Sequence, residues 1–193
     1  MRIRLADLGC VAFLHGADHE GVKGLVNLCS DNVSLIKQHP LYLLAFIYEL
    51  KYQHWTSWLS SLWKQVNDIE TATNMTSETW KRRELSSTQL QKLKDTDVLL
   101  KYLHSTNTEL CHGENLVSFA NKVGTFLLEV PDVLEASREK QGFMPLRRRH
   151  QTVLEERIKF TLTRCDSIRD RLNEMKERLR GQINVVSCLV QMR

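Results

Sequence analysis

Turn-forming residues are scarce in this chain, which has 8 Gly and 3 Pro among 193 residues. All-β sandwiches and barrels need frequent turns and phosphate loops need clustered glycines, so the composition excludes both. The longest apolar run, LYLLAFIY at residues 41–48, is far shorter than the roughly 18 residues that indicate a membrane-spanning helix. The hydrophobic fraction of 42% and the charged fraction of 26% are those of an ordinary globular protein. A soluble, helix-rich chain is therefore expected, either as one ordinary domain or as one domain with an extended helical arm.

Cysteine pairs are also lacking, and no targeting segment is predicted. The five cysteines are odd in number, scattered and free of any C-x-x-C pair, so neither a disulfide framework nor a zinc site is indicated. Residues 1–14 are interrupted by Asp7 and are too weakly apolar for a signal peptide, so they are expected to belong to the fold. A reducing, cytoplasmic location fits these features best.

The net charge of +4 is modest but unevenly distributed. Residues 145–193 contain 12 Lys or Arg against 6 Asp or Glu, and the run Arg147, Arg148 and Arg149 is a candidate contact for nucleic acid or anionic lipid. A solvated helix face is the favoured interpretation, because Arg and Lys are strong helix formers and alternate here with acidic residues.

Apolar periodicity predicts four main helices, at residues 20–37, 41–70, 95–130 and 146–191. Pro131 is expected to kink or divide the third helix, which then continues to about residue 140. Shorter helical segments are predicted at 76–85 and from residue 86.

Two parts of the chain are expected to differ in organisation. Residues 1–38 form an N-terminal segment that is helical from about residue 20, and residues 39–193 form a helical bundle that ends in a long stalk-like helix at 145–193. The fold class predicted is all-α, an elongated helical bundle with long antiparallel coiled-coil-like helices. The last helix is expected to pack antiparallel to both the 41–70 and the 95–130 helix.

Spacings of four and three residues define an apolar row, called a seam here, on each long helix. On the 41–70 helix the row is Tyr48, Tyr52, Trp55, Leu59, Leu62, Val66 and Ile69. On the 95–130 helix it is Leu99, Leu103, Thr106, Leu110, Gly113, Val117, Ala120, Gly124 and Leu127. The two glycines in that row predict close helix approach. On the last helix the row passes through Thr161 and Cys165 to Leu179, and a stutter is predicted where it moves to Ile183.

One pattern suggests a metal-dependent enzyme as an alternative. Glu109 and His112 form a Glu-x-x-His pair of the kind that di-iron bundle proteins use, and His104 lies two turns earlier. Those proteins need a second copy of the motif, which this chain lacks, so a polar patch on a helix is favoured. Cys111 beside His112 does not form a nucleophile and base pair, because adjacent helical residues point about 100° apart.

Two further groups have structural interpretations. In the cluster His15, Asp18, His19 and Glu20, we expect Asp18 to cap a helix rather than to bind a metal. The four tryptophans could stack nucleic-acid bases, but most lie on the helical row and are expected to be core or interface residues; they are Trp55, Trp58, Trp63 and Trp80. No phosphate-loop, dinucleotide-binding, serine-hydrolase or zinc-protease motif occurs, so an enzyme is disfavoured.

Four segments resemble fungal CorA-like proteins: HPLYLLAFIYE at 39–49, ETATNM at 70–75, CDSIRDRLNEM at 165–175 and QINVV at 182–186. The resemblance implies a helical cytosolic region that leads into a stalk helix, which in the transporters continues into two membrane spans with a Gly-Met-Asn signature. This chain ends where the first span would begin and has no Gly-Met-Asn, so no transport by this chain alone is implied. Magnesium is possible only through this resemblance; the residues themselves suggest no cofactor.

These features predict a non-enzymatic intracellular interaction or oligomerisation domain that uses its last helix to bind a protein partner or a second copy. The residues expected to form that partner surface are Leu154, Ile158, Ile168, Leu172, Met175, Leu179, Ile183, Val186 and Val190. No small-molecule substrate is evident, nucleic acid is disfavoured, and membrane contact is expected only for a longer version of the chain. The alternatives are a metal-binding bundle enzyme at Glu109 and His112, and a basic helical nucleic-acid binder.

Overall fold

The computed structural model describes residues 2–4, 8–13, 18–73 and 96–191, and it confirms the predicted all-α class. A short antiparallel hairpin pairs β1 (Arg2–Ile3) with β2 (Cys10–Val11). The helices are α1 (His19–Asp31), α2 (Val33–Gln38), α3 (Tyr42–Ala72), α4 (Thr96–Lys140) and α5 (Arg148–Gln191). None of these helices is long and apolar enough to cross a membrane. The helical segments predicted at 76–85 and from residue 86 lie in a part of the chain that the structure does not describe, before α4 begins at Thr96.

The single helix predicted at 20–37 is divided in the structure. Asp18 caps α1, accepting a hydrogen bond of 2.8 Å from the Gly21 N–H, as predicted. Helix α1 ends at Asp31, and the next residue, Asn32, leaves the helical region with φ −122° and ψ 30°. The Asn32 side-chain amide donates to the Leu28 carbonyl at 2.9 Å. Asparagine side chains compete in this way with the backbone for helical hydrogen bonds, which apolar periodicity alone does not reveal.

Helix α4 passes through Pro131 without being divided. It ends instead at Lys140, and Gly142, two residues later, has φ +76°. The Phe143 N–H donates to the Arg138 carbonyl and the Gly142 N–H to the Glu139 carbonyl, the pattern of a Schellman motif. The left-handed backbone at this position explains why a glycine follows the helix.

The chain consists of two compact units. Unit 1 contains Met1–Trp55 and Phe119–Asp166, and unit 2 contains Thr56–Ser118 and Ser167–Arg193. Each of the long helices α3, α4 and α5 contributes residues to both units. The buried apolar residues of unit 1 include Tyr42, Phe46, Tyr48, Ala120, Leu127, Leu154 and Ile158. Those of unit 2 include Leu62, Val66, Ile69, Leu103, Leu110, Leu172, Met175 and Leu179.

The predicted antiparallel packing holds for α4 and α5 but not for α3 and α5. In unit 1, Asn121 contacts Asp166 and Asp132 contacts Gln151, so residue numbers rise on α4 as they fall on α5. In unit 2, the contacts of Glu70 with Arg178 and of Thr73 with Gln182 rise together.

Helices α3 and α5 are therefore parallel, and the expectation that they are antiparallel was wrong. The reason is the chain order. Two reversals of direction between three successive helices return the third helix to the direction of the first.

Two glycines of the α4 seam lie where no side chain fits, as predicted. A Cβ on Gly113 would lie 2.7 Å from Trp58 and 2.9 Å from Leu172, both in unit 2. A Cβ on Gly124 would lie 2.7 Å from both Leu162 and the Tyr48 hydroxyl, both in unit 1. Real Cβ atoms do not approach this closely, so the glycines permit the observed helix separations.

The stutter predicted after Leu179 does not occur. Gln182 is buried and takes the next seam position, followed by Val186 after four residues, while Ile183 is only half-buried. Gln182 accepts a hydrogen bond of 2.5 Å from the Thr73 hydroxyl. The seven-residue repeat of α5 continues through the polar residue Gln182. Because only apolar residues were counted, the repeat looked like a change of phase in the sequence.

Candidate interaction surface

The α5 seam is covered by the chain itself. Leu154, Leu172, Met175 and Leu179 have no exposed side-chain surface, and Ile158, Ile168 and Val186 are at most 3% exposed. Ile183 is half-buried, and the side chain of Val190 lies outside the described residues. Side chains this deeply buried are core residues of a single chain. A partner could not reach these seven buried side chains without opening the helices, so a partner surface must use other residues.

The three metal-ligand candidates are not brought together. His104 and His112 are exposed, and the His112 ring meets Trp58 edge to face at 6.5 Å between ring centroids. Glu109 is half-buried and accepts a hydrogen bond of 3.4 Å from Gln65. Within the described parts of the chain, no three His, Cys, Asp or Glu side chains are placed to hold a metal ion.

The basic run at the start of α5 is fully at the surface, since Arg147, Arg148 and Arg149 are all exposed. Among the tryptophans, Trp63 lies under Arg178, whose guanidinium is 4.5 Å from the ring centroid. Trp80 lies outside the described residues. Trp58 and Trp63 on α3 thus contact residues of neighbouring helices, as expected of interface residues.

Unit 2 contains a buried charged cluster between α3 and α5. Arg178 donates two hydrogen bonds to the Glu70 carboxylate, at 2.8 and 2.7 Å, and a third to the Asn67 side chain at 2.6 Å. The side chain of Glu70 is 7% exposed and that of Arg178 is 20% exposed. A two-point contact between an arginine and a carboxylate is geometrically specific, so this cluster fixes the register of α5 against α3.

A second polar layer of unit 2 joins α3 to α4. The buried Thr106 hydroxyl lies within hydrogen-bond distance of two acceptors, the Tyr102 carbonyl at 2.9 Å and the Gln65 side-chain oxygen at 3.1 Å. The Gln65 amide group donates to Glu109, as described above. Glu109, the residue predicted as a possible metal ligand, therefore belongs to a network that holds two helices together.

Unit 1 has a buried hydroxyl and thiol at the centre of its three long helices. The Tyr48 hydroxyl on α3 donates to the Ala120 carbonyl on α4 at 3.1 Å and lies 3.5 Å from the Cys165 sulfur on α5. Burial raises the pKa of Tyr48, and the hydrogen bond to Cys165 raises it further. Burial also raises the pKa of the Cys165 thiol, so Cys165 is a protonated core residue rather than a reactive thiolate.

Unit 1 also has an ion pair between α3 and α5. Arg157 donates to both oxygens of Glu49, with 2.8 Å between Nη2 and Oε2, and its guanidinium lies 4.8 Å from the Phe46 ring centroid. The hydrogen bond to Glu49 raises the pKa of Arg157 above its ordinary value. These contacts orient α5 in unit 1 as the Arg178 cluster does in unit 2.

A row of large apolar side chains on α4 is exposed, and we call it the outer row. Phe119 is 61% exposed, Phe126 is 60% exposed and Val133 is 64% exposed. The three residues are seven positions apart, so they lie on one face of the helix and extend over about 21 Å. The seven-residue spacing of the outer row is visible in the sequence, but the buried seam on the same helix has the stronger apolar pattern, so the outer row was not predicted.

Two opposite charges accompany the outer row. Lys122 and Glu129 are exposed, and each follows a phenylalanine of the row by three positions, so each lies beside it on the helix surface. Neither forms a salt bridge with any residue that the structure describes. They are seven positions apart, about 10.5 Å along the helix, which is too far for them to pair with each other.

Another exposed phenylalanine behaves differently. Phe160 on α5 is 62% exposed, but the Arg164 guanidinium lies over its ring at 5.3 Å from the centroid. Single exposed apolar residues are common on protein surfaces, whereas larger groups of exposed apolar residues mark interaction sites. The outer row of α4 is therefore the stronger candidate.

Comparisons with known proteins add no family assignment, since no protein-family model, no curated protein and no solved structure matches this chain.

Proposed function

We propose that this chain is a non-enzymatic helical interaction domain that binds another protein helix through the outer row of α4. The observation that carries the proposal is the exposure of Phe119, Phe126 and Val133 at a spacing of seven residues. Two phenylalanines held on a long helix bury much apolar area on binding and lose little conformational freedom.

The use made of the chain's polar side chains supports a scaffold role. Glu70, Arg178 and Gln65 are engaged in contacts between helices rather than assembled around a cavity. The proposal keeps an intracellular location and a relation to the cytosolic part of CorA-like proteins, both of which rest on the sequence. It moves the binding surface from the α5 seam, which is core, to α4.

Photo-crosslinking tests this function in cells. We would replace Phe126 with a photoreactive phenylalanine analogue, irradiate the cells and identify the crosslinked peptide by mass spectrometry. The matched control has the analogue at Phe160, an equally exposed phenylalanine on α5. We expect a defined peptide adduct from position 126 that is absent at position 160. Adducts equal at both positions, or none at position 126, would contradict the proposal.

A further inference from the structure

We propose that the occupant of the outer row is the α4 helix of a second copy of this chain, packed antiparallel. This inference rests on the proposed function and names its partner. It is carried by the order of apolar and charged residues on α4, which is complementary to itself when reversed.

The apolar residues match in this arrangement. The outer row is symmetric about Phe126, so a twofold axis at that residue places Phe126 against its counterpart and Phe119 against Val133 of the other copy. All three residues of the outer row on each helix are then covered. Aromatic pairs contribute about 0.5 to 1.5 kcal/mol beyond the area they bury, so the central pair is the energetic focus.

The charges select the same arrangement. Lys122 and Glu129 are symmetric about a point half a residue from Phe126, so reversal places Lys122 of one copy beside Glu129 of the other. The offset along the axis is one residue, about 1.5 Å. The symmetric dimer therefore has two such ion pairs. A parallel dimer would instead place Lys122 level with Lys122 and Glu129 level with Glu129, which is repulsive.

The choice of a second copy rests on this complementarity, since both charges lack an ion-pair partner among the described residues and the reversed copy supplies one for each. The patch is short, with three apolar residues per copy. Interfaces at the small end of the range are weak and reversible, so we expect a dissociation constant in the micromolar range.

The first test is the molar mass of the full chain, measured by sedimentation equilibrium over a wide concentration series. We expect a reversible monomer and dimer equilibrium for the unchanged chain. The double variant Phe119→Ser with Phe126→Ser is expected to be monomeric at every concentration, while the matched control Phe160→Ser dimerises like the unchanged chain. Circular dichroism and the melting temperature establish that each variant is folded.

Charge reversal tests the antiparallel order itself. Lys122→Glu replaces both ion pairs with repulsive pairs and should raise the dissociation constant about tenfold, and Glu129→Lys should do the same. The double variant Lys122→Glu with Glu129→Lys restores both pairs with their signs exchanged and should dimerise like the unchanged chain. A parallel dimer predicts no such rescue, because its like-charge contacts stay like-charged.

The outcomes separate this inference from the proposed function. A chain that is monomeric throughout the series, or a dimer unaffected by the Phe119 and Phe126 changes, overturns the second-copy inference. If position 126 then crosslinks to a peptide of another protein, the proposed function stands without it. If position 126 crosslinks to nothing, both fail. A crosslink to α4 of a second copy of this chain supports both.

Discussion

Units 1 and 2 contain the same arrangement: an arginine on α5 forms an ion pair with a glutamate on α3, and its guanidinium lies over an aromatic ring of α3. Arg157 pairs with Glu49 over Phe46, and Arg178 pairs with Glu70 over Trp63. The two arginines are 21 positions apart, as are the two glutamates, which is three heptads on each helix.

The two pairs differ in burial. The side chains of Arg157 and Glu49 are 31% and 20% exposed, whereas those of Arg178 and Glu70 are 20% and 7% exposed. A carboxylate near water can be solvated when its partner is lost, but a buried one cannot. Loss of the arginine should therefore lower the stability only slightly in unit 1 and strongly in unit 2.

The largest effect is expected from Arg178→Met. The substitution keeps much of the side-chain volume but leaves the Glu70 carboxylate buried and unpaired, so the free energy of unfolding should fall by about 3 kcal/mol. Chemical denaturation of the purified chain measures it. Adding Glu70→Gln to Arg178→Met should recover part of the loss, since the buried charge is then removed. A single variant as stable as the unchanged chain would mean that water reaches Glu70.

The second largest effect is expected from a side chain introduced at the close helix contact of unit 1. Gly124→Leu places a side chain where Leu162 and the Tyr48 hydroxyl already lie, so we expect a loss of between about 2 and 3 kcal/mol. The control is Gly181→Leu, because a Cβ on Gly181 meets nothing within 4 Å. That control should be neutral or slightly stabilising, since leucine is the better helix former. Equal losses in both variants would show that helix propensity, not close approach, is responsible.

Acid should destabilise unit 1 through His39. This side chain is 1% exposed, its Nδ1 accepts from the Leu41 N–H at 3.3 Å, and its Nε2 has no hydrogen-bond partner among the described residues. Burial, with a smaller contribution from His150, lowers the pKa of His39 from 6.5 to about 4. Below pH 6.5 the unfolded chain therefore binds a proton that the folded chain resists.

The stability that neutral His39 provides is complete above pH 6.5 and is lost as the pH falls toward 4. Between pH 7 and pH 5 the loss from this group should be about 2 kcal/mol. Urea titrations at both pH values, compared with His39→Gln, isolate it from the carboxylates. A variant with the same pH dependence as the unchanged chain would exclude His39 as the cause.

The smallest effect is expected from Arg157→Met, which breaks the more exposed pair. The loss should be about 1 kcal/mol, mostly from the contact with the Phe46 ring. Measured under the same conditions as Arg178→Met, it tests the comparison directly. If the two variants lose equal stability, burial is not what distinguishes the two pairs.

Sequence periodicity predicted the helices well because it reports directly on burial. The α3 and α4 seams are buried almost as expected, and Gly113 and Gly124 lie at close helix contacts. It failed where polar residues take part in the core or in the backbone bonding. Gln182 continues the α5 seam and Asn32 ends α1, and neither is distinguished from a surface residue by an apolar pattern.

The sequence by itself determined that this protein is a set of long helices with apolar rows, because a seven-residue repeat is a local property of the chain. Tertiary structure alone decided which apolar faces are covered. The described residues of the α5 seam are mostly core, while the outer row of α4, which is Phe119, Phe126 and Val133, is exposed. It also decided that α3 and α5 are parallel and that Arg178 meets Glu70. Burial depends on what packs against a face, and residues far apart in the chain set that.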